Sequence, residues 1–449
     1  MKNYRNFLTA FCISIVSSLT LPGEAPPNFV LILADDLGYG DLGCYGHPDA
    51  KTPRIDQLAK EGIRFTQHYA NGPECSPTRT ALLTGRYQQR ARGLECAIGT
   101  GNVGRYREAI ELAAKRKLGL PASKSILPTM LKKAGYSCGI FGKWHLGYEP
   151  EFNPIEHGWD EFFGYLGGNV HYFNHRELSE LHVLFKGRLP IHSEGYMTHL
   201  ITKSSIDFLS RNKNNPFFLF VSHETPHFPF QSPRDANKIV NAGNWTKPDE
   251  KSYVEMLQDM DSEVGKLLDY LKLHSLEKNT AVIFVSDNGG FPNVANMGPL
   301  KGAKGGTFEG GIRVPLIVRW PGKLKAGLTS NQVCATFDLT YSILNLTGAK
   351  PEAHRLDGFD LIDHLVKEKP DIKRTLYWRG KRGNRTWWAV RDGDLKYVRK
   401  MEDSKEEWLY DLSKDSGESN DLSHSQPKQI ARMKKLLDLW EENVEPTNK

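Results

Sequence analysis

The sequence has few of the features that mark specialised classes of protein. Its six cysteines are widely spaced and include no CxxC pair, so the chain is not a small disulfide scaffold, although individual disulfides remain open. It contains no internal repeat, no low-complexity tract and no recognisable nucleic-acid-binding motif. Aromatic residues make up 10% and charged residues 25% of the 449 residues, which is ordinary for a globular protein. A chain of this length can bury a large core and form more than one domain.

Apolar segments long enough to span a membrane are absent after the first 25 residues. The chain begins with a short cationic region, followed by an apolar segment at 7–21 and by Pro22-Gly-Glu-Ala25. This is the form of a secretory signal peptide, and no cysteine lies at the cleavage point to carry a lipid anchor. We therefore expect residues 1–25 to be a signal peptide and the mature protein to be exported without a stable membrane anchor. It would be periplasmic or extracellular, or lysosomal or secretory in a eukaryote.

The stretch 71–85 is the part of the sequence that most strongly suggests catalysis. Pro77 suits the first position of a short helix and Gly85 the residue just past its end, which places Cys75 at the helix N-terminus. Arg79 follows one turn later, and a single cysteine presented in this way indicates a nucleophile. A thiolate phosphatase loop is excluded, because it needs an arginine six positions after the cysteine, where an alanine stands. A cysteine–histidine hydrolase and a buried structural cysteine remain open at this point.

Polar residues follow four of the predicted strands. The apolar strand at 28–34 ends at two adjacent carboxylates, and oxygen ligands of this kind suit a hard cation such as Ca²⁺ or Mg²⁺, although a solvated turn is the alternative. The other predicted strands cover 136–141, 217–221 and 281–286. The four polar clusters are Asp35/Asp36, Lys143/His145, His223/His227 and Asp287/Asn288. Because the carboxyl ends of parallel strands meet at one edge of a sheet, we expect these side chains to form one anionic-substrate site around a metal ion.

The order of the elements predicts the fold class. Strands that alternate with amphipathic helices indicate an α/β fold with a large, doubly wound, mostly parallel sheet. After about residue 365, short strands separated by turns precede a terminal helix from Pro427 to about Trp440. We therefore predict a catalytic domain at 26–365 and a small C-terminal α+β domain of antiparallel strands at 366–449. The basic segment 87–124 and the aromatic loops at 165–195 are expected to determine specificity.

Taken together, these motifs resemble those of formylglycine-dependent sulfatases, arylsulfatase-like members of the alkaline-phosphatase superfamily. In that family the signature cysteine is oxidised to formylglycine before the enzyme works. The resemblance covers almost the whole mature chain and rests on Cys75-x-Pro77-x-Arg79, Ala34-Asp35-Asp36-Leu37-Gly38, Gly142-Lys143-Trp144-His145, Pro226-His227-Phe228-Pro229, Ser286-Asp287-Asn288-Gly289, Lys304-Gly-Gly-Thr-Phe-Glu-Gly-Gly311, Trp388–Lys396 and Leu409–Asp415.

The resemblance implies a metal site and a modified residue. It implies that a metal ion, Ca²⁺ in preference to Mg²⁺, is bound by Asp35, Asp36, Asp287, Asn288 and an oxygen of the modified Cys75. A separate formylglycine-generating enzyme would oxidise Cys75 to the aldehyde, whose hydrate would attack the sulfur atom of a sulfate ester. The second hydroxyl of the hydrate would then regenerate the aldehyde and expel sulfate.

The resemblance also implies roles for the cations and histidines. Lys143 and Lys304 would bind the substrate by neutralising the sulfate oxygens and the leaving oxygen. His227 would protonate the departing alcohol, and His145 would help to deprotonate the second hydroxyl. The remaining candidates are Arg79, which would orient residue 75, and Asn169 and His171, which are candidates for a further sulfate contact.

Two other functions compete with this interpretation. Phosphate and phosphonate ester hydrolases of the same superfamily commonly use two metals, whereas one candidate metal cluster is visible in this sequence. A non-catalytic binder of sulfated glycans would bind without releasing sulfate.

The formal net charge of +6 at pH 7 is compatible with an anionic substrate. An exported, basic and aromatic enzyme suits a sulfated carbohydrate or polysaccharide better than a steroid sulfate.

Overall fold

The computed structural model describes residues 25–99, 106–123, 126–349 and 356–445. The predicted signal peptide lies outside these ranges except for Ala25. Among the described residues, no helix combines the length and the apolar character that a membrane crossing requires. The described cysteines form no disulfide with one another.

We number the elements of the described ranges in chain order. The strands are β1 (Asn28–Ala34), β2 (Ile63–Phe65), β3 (His68–Tyr69), β4 (Ser137–Lys143), β5 (Glu161–Tyr165), β6 (Leu184–Lys186), β7 (Leu189–Pro190), β8 (Phe217–Ser222), β9 (Thr280–Ser286), β10 (Leu316–Arg319), β11 (Leu328–Ser330), β12 (Cys334–Ala335), β13 (Thr375–Arg382), β14 (Arg385–Asp392), β15 (Leu395–Met401) and β16 (Lys405–Asp411). The α-helices are α1 (Pro53–Lys60), α2 (Cys75–Thr84), α3 (Arg107–Ala114), α4 (Leu127–Lys133), α5 (Met197–Asn212), α6 (Glu250–Leu273), α7 (Glu309–Ile312), α8 (Thr336–Thr347), α9 (Leu361–Val366) and α10 (Pro427–Val444).

The larger sheet has a parallel centre. Its ten strands run in the order β11-β2-β10-β9-β1-β8-β4-β5-β6-β7. The five strands β9, β1, β8, β4 and β5 are parallel to their neighbours within this group, whereas β10, β6 and β7 run antiparallel to theirs. Every residue of β1, β8 and β9 is buried, as expected for continuously apolar strands that are covered on both faces.

Helices cover both faces of this sheet. Alternate side chains of β1 point to opposite faces, so that Val30 packs with α6 residues such as Met256. Leu31 packs on the other face with Met130 of α4 and Ile343 of α8. Two cores therefore enclose the sheet, and the predicted doubly wound α/β fold is confirmed.

The C-terminal part of the chain forms a separate antiparallel sheet. Strands β13 to β16 pair in sequence order, and α10 packs on them through Met433, Leu437, Trp440 and Val444. The strands extend several residues beyond the short apolar runs that predicted them, because hairpin pairing continues through polar residues as far as Arg382 and Arg385. The predicted small antiparallel sheet with a terminal helix is confirmed, and the domain boundary at 365/366 stays a prediction.

Candidate active site

The polar residues that follow β1 and β9 lie side by side at the carboxyl edge of the sheet. The strand register pairs Ala34 with Ser286, and the Asp287 N–H donates to the Ala34 carbonyl at 3.1 Å. The Asp36 N–H donates to Oδ1 of Asp287 at 3.2 Å. Asp36 has a φ of 62°, a left-handed conformation that is uncommon for a residue other than glycine. With this turn, the carboxylates of Asp35 and Asp36 both reach the same buried cluster.

Cys75 lies at the centre of that cluster. It is the first residue of α2 and is fully buried. Its Sγ donates to Oδ1 of Asp35 at 3.1 Å, and lies 3.3 Å from Nζ of Lys143 and 3.6 Å from Nζ of Lys304. The helix begins two residues before Pro77, so that Pro77 lies in its first turn. Backbone N–H groups of the first turn have no hydrogen-bond partner within the helix, so the missing N–H of a proline costs no hydrogen bond there.

The protonation state of this thiol limits its chemistry. Burial raises the pKa of the Cys75 thiol well above its ordinary value, and Asp287 and Asp35 raise it further, while Lys143 and Lys304 oppose the shift. The thiol is therefore protonated at neutral pH. A thiol in this state is a poor nucleophile, which argues against an unmodified cysteine–histidine hydrolase.

Two buried cations, Arg79 and Lys143, and the partly exposed Lys304 face three buried carboxylates in this cluster. Arg79 binds Oδ2 of Asp287 through Nη2 at 3.0 Å, and Lys304 lies 2.7 Å from Oδ1 of Asp36. Lys143 forms an ion pair with Asp35, in which both side chains are fully buried. Each carboxylate therefore has a cationic partner, and the formal charges of the six groups cancel.

The carboxylates still differ in their pKa. Burial raises the pKa of Asp35 to about 7, aided by Asp287 and opposed by Lys143 and Arg79. Burial also raises the pKa of Asp36, although Lys304 opposes it. Burial would raise the pKa of Asp287 as well, but Arg79 and Lys143 lower it below its ordinary value. An additional positive charge nearby would therefore stabilise the ionised forms of Asp35 and Asp36.

The donor atoms fit a divalent cation. Ligand atoms of Asp35, Asp36, Cys75 and His227 lie within 4.8 Å of one another. Asn288 donates through Nδ2 to Oδ1 of Asp36 at 2.8 Å, and its buried Oδ1 has no hydrogen-bond partner among the described residues. A buried amide oxygen beside carboxylates is a hard ligand, and a divalent cation would satisfy it.

His227 lies next to Lys304. Its Nδ1 donates to the carbonyl of Phe228 at 2.7 Å, so that Nε2 is the acceptor that faces Nζ of Lys304 at 3.1 Å. Burial lowers the pKa of His227 well below its ordinary value, and Lys304 and Lys143 lower it further. The imidazole is therefore neutral, and Lys304 holds the shared proton.

His145 presents one free ring nitrogen. Its Nε2 donates to the carbonyl of Ile98, and its buried Nδ1 has no partner among the described residues. Burial, Lys143 and Arg79 lower the pKa of His145 well below its ordinary value. Nδ1 therefore carries an unshared electron pair that can accept a proton. His223 is also buried and neutral, with a pKa lowered by burial to about 4.

The remaining sequence candidates lie in the loop after β5. Asn169 accepts a hydrogen bond from Nε1 of Trp245 at 2.9 Å. Nε2 of His171 lies 3.0 Å from Nε2 of Gln231, and its Nδ1 accepts from the N–H groups of Phe173 and Asn174. Within the described ranges, no hydrogen bond or ion pair joins either side chain to the Cys75 cluster. Their assignment to the substrate site stays a prediction.

The structure adds a residue that sequence reasoning missed. Ser222, the last residue of β8, accepts from Nη1 of Arg79 at 2.6 Å and donates to the carbonyl of Lys143 at 2.7 Å. It therefore ties the arginine to the end of a neighbouring strand. A serine at the end of an apolar strand has no distinctive local pattern, so its position on β8 was the one available signal.

Comparisons with known proteins agree with this geometry. Residues 27–349 match the family model described as Sulfatase, and residues 304–443 match the model for the C-terminal part of N-sulphoglucosamine sulphohydrolase. Mouse N-acetylgalactosamine-6-sulfatase is 36% identical over 389 residues, which cover 82% of this chain and 72% of the relative. Human arylsulfatase A is 31% identical over 455 residues, covering 88% and 83%.

A solved structure extends the similarity to three dimensions. The crystal structure of Ps i-CgsB in complex with k-i-k-neocarrahexaose superposes with a TM-score of 0.81 at 30% identity, covering 94% of each chain. The matching model spans well over half of the chain, and the similarity to these relatives covers most of their length. The chain therefore belongs to the sulfatase family of sulfuric ester hydrolases.

Proposed function

We propose that this sulfatase removes a sulfate ester from a sulfated carbohydrate, using a formylglycine made from Cys75 and a bound Ca²⁺. The observation that best supports this proposal is the environment of Cys75. Its buried, protonated thiol lies between the Asp35 carboxylate and two lysine ammonium groups. Such a thiol is a poor nucleophile, but its position suits a hydroxyl that attacks an anion held by the lysines. The relatives named for a galactosamine sulfate and for bound neocarrahexaose support a sulfated carbohydrate substrate.

The metal would be held by Asp35, Asp36, Asp287 and Asn288. When bound, it supplies positive charge that neutralises the sulfate group and lowers the pKa of nearby oxygen acids. The raised pKa values of Asp35 and Asp36 support such a site, because a divalent cation would keep both carboxylates ionised. Carboxylate and amide oxygens favour Ca²⁺ or Mg²⁺, and a ligand set of three carboxylates and an amide supports Ca²⁺.

The modified residue 75 would supply the attacking hydroxyl as an aldehyde hydrate. Lys143 and Lys304 would hold the sulfate oxygens and stabilise the charge that develops in the transition state. Arg79 is tied to Asp287, Ser222 and the Lys143 carbonyl, so it would fix the geometry around residue 75.

The histidines would move protons at defined atoms. The proton between Lys304 Nζ and His227 Nε2 is available for the leaving oxygen. The free Nδ1 of His145 can accept the proton of the second hydroxyl, which is the step that releases sulfate. The family resemblance implies a separate maturation enzyme that oxidises Cys75, and because Cys75 is fully buried in the folded protein, this oxidation would precede complete folding. The leader at 1–25 supports export of the enzyme.

Mass spectrometry of the tryptic peptide 65–79 tests the modification. In protein made together with a maturation enzyme, we expect loss of the Cys75 sulfur and gain of an aldehyde oxygen. Cys75→Ala should abolish sulfate release from an aryl sulfate, whereas an unmodified thiol in an active enzyme would overturn the proposal. Hydrolysis of the corresponding phosphate or phosphonate ester in place of the sulfate ester would instead indicate one of the rival hydrolases. Binding of a sulfated glycan without sulfate release would identify a non-catalytic binder.

A further inference from the structure

The C-terminal sheet extends beyond the surface that it buries against the rest of the chain, which includes Ala70 and Glu309. At one end of its inner face, Trp378, Arg391 and Lys396 are buried, and Nε1 of Trp378 donates to the Ala70 carbonyl at 2.8 Å. The same face continues through Trp387 and Lys400, which are partly exposed, to Arg382 and Arg385, which are exposed. Cross-strand pairs share a face, and the register pairs Gly380 with Trp387, Trp387 with Lys400, and Arg382 with Arg385.

This uncovered end lies against the segment that leads into α2. A Cβ placed on Gly380 would lie 3.0 Å from Cγ of Pro73, which is two residues before Cys75. Arg382 forms an ion pair with Glu74, the residue that caps α2. The guanidinium has five N–H donors, and its side chain is 48% exposed, so donors remain for a ligand.

The same end also lies against the loop that carries Lys304. Gly306 lies two residues after Lys304, whose Nζ faces Cys75. A Cβ placed on Gly306 would lie 3.8 Å from the six-membered ring of Trp387. Oγ1 of Thr307 donates to the carbonyl of Trp388 at 3.2 Å. The hairpin formed by β13 and β14 therefore lies next to both catalytic segments, at the rim of the site.

An aromatic surface flanked by cations lies on this rim. Trp387 and Trp408 are stacked with ring centroids 6.3 Å apart, and Phe308 meets them at 5.5 and 5.2 Å. Nζ of Lys301 lies 4.5 Å from the Phe308 centroid, and Nζ of Lys400 lies 5.8 Å from the Trp387 centroid. Lys400 is paired with Glu402 and Glu406, whereas Lys301 has no carboxylate partner among the described residues.

We propose that this surface binds the sugar unit next to the one that loses its sulfate, in a sulfated oligosaccharide or polysaccharide. We call it the hairpin subsite and define it by Arg382, Trp387, Trp408, Phe308, Lys301 and Lys400. The apolar face of a sugar ring stacks on Trp387, and its sulfate groups lie beside Arg382 and Lys301. This inference rests on the proposed function. It extends the substrate contacts beyond the 87–124 and 165–195 segments to the C-terminal sheet.

The test compares substrates of two lengths. For the matured enzyme, kcat/KM is measured on sulfated hexasaccharides from carrageenan and chondroitin sulfate, on the matching sulfated monosaccharides and on an aryl sulfate. We expect Trp387→Ala to lower the hexasaccharide-to-monosaccharide ratio by about tenfold or more, as for a contact at the centre of an interface. Trp387→Phe should recover part of this ratio, and the loss in Arg382→Gln should shrink at high salt.

Arg385→Gln is the matched control. Arg385 lies opposite Arg382 in the same hairpin but pairs with Glu402, the residue that follows β15. Its variant should keep the wild-type ratio, and thermal midpoints establish that all variants are folded. A wild-type enzyme without preference for the longer chain, or a Trp387→Ala variant with an unchanged ratio, would overturn the subsite.

Failure of the proposed function gives a different result. In that case the matured wild type would hydrolyse none of the sulfate esters, including the aryl sulfate. Calorimetric binding of the same hexasaccharides then tests the subsite directly. Binding about tenfold weaker in Trp387→Ala than in the wild type supports it, and equal or absent binding overturns it.

Discussion

Glu418→Gln should flatten the pH dependence of stability between pH 5 and pH 8. Lys396 is fully buried between two carboxylates, with Nζ 2.8 Å from Glu309 and 2.9 Å from Glu418. Burial raises the pKa of Glu418 to about 7, with Lys396 opposing and Glu309 adding to the shift. Burial also acts on Glu309, but Lys396 and Arg313 lower its pKa to about 2. One ammonium thus keeps one acid ionised and leaves the other able to titrate near neutrality.

The expected size follows from the shift of Glu418. Its pKa rises from 4.5 in the unfolded chain to about 7 in the folded protein, and ~1.4 kcal/mol per unit gives about 3 kcal/mol. Because the folded state holds this proton more tightly, the stabilisation is complete below pH 4.5 and is lost as the pH rises through 7. The depressed pKa of Glu309 acts in the opposite direction, and its contribution is lost only as the pH falls from 4.5 towards 2. Asp35 also titrates near pH 7, so the difference between the wild type and Glu418→Gln from pH 5 to pH 8 is what reports on Glu418.

Urea unfolding at pH 5, 6, 7 and 8 measures this effect. The free energy of unfolding of the wild type should fall by about 3 kcal/mol more than that of Glu418→Gln over this range. Glu406→Gln is the control, because Glu406 has a 45% exposed side chain paired with Lys400 and should leave the pH dependence unchanged. Parallel curves for the wild type and Glu418→Gln would refute the reasoning.

Three further predictions concern the active site. Arg79→Lys should lower kcat on an aryl sulfate by about 10²-fold with little change in the thermal midpoint. The reason is that one ammonium cannot bind Asp287, Ser222 and the Lys143 carbonyl together, as the guanidinium does. An activity within twofold of the wild type would contradict this. Lys304→Met should lower kcat by about 10²–10³-fold and move the pKa of the neighbouring imidazole upward in an NMR titration, because the lysine is one cause of its depression. Removal of metal by a chelator should abolish sulfate release, and Ca²⁺ should restore it better than Mg²⁺; recovery with Mg²⁺ alone would reassign the ion.

Much of the fold was accessible from local patterns. Continuous apolar runs such as 28–34 and 281–286 predicted strands buried on both faces, and a spacing near 3.6 residues predicted α6. These signals depend on neighbouring residues, so they survive without knowledge of the rest of the chain. The family resemblance then brought Cys75, Asp35 and Asp287 into one expected site, and the structure places their side chains in one buried cluster.

Other features depend on residues that are far apart in the chain. The proton position on His145 follows from the carbonyl group of Ile98, and the proton that His227 shares comes from Lys304, so the local motif around each histidine does not contain that information. The sequence also leaves the first residue of α2 open, because a proline is tolerated anywhere in the first turn of a helix. In the structure the helix begins at Cys75, two residues before Pro77.

The sulfatase motifs and the buried strands are therefore encoded in short segments, because strand period, helix caps and motif spacing act within about a dozen residues. The rim of the site is different. Arg382 meets Glu74 and Trp387 meets Gly306 only after the C-terminal sheet packs against the start of α2 and the loop that carries Lys304, and each contact joins segments with no local pattern in common. Charge, burial and the environment of each catalytic group arise from that packing, because they depend on every atom within a few ångströms rather than on the neighbouring sequence.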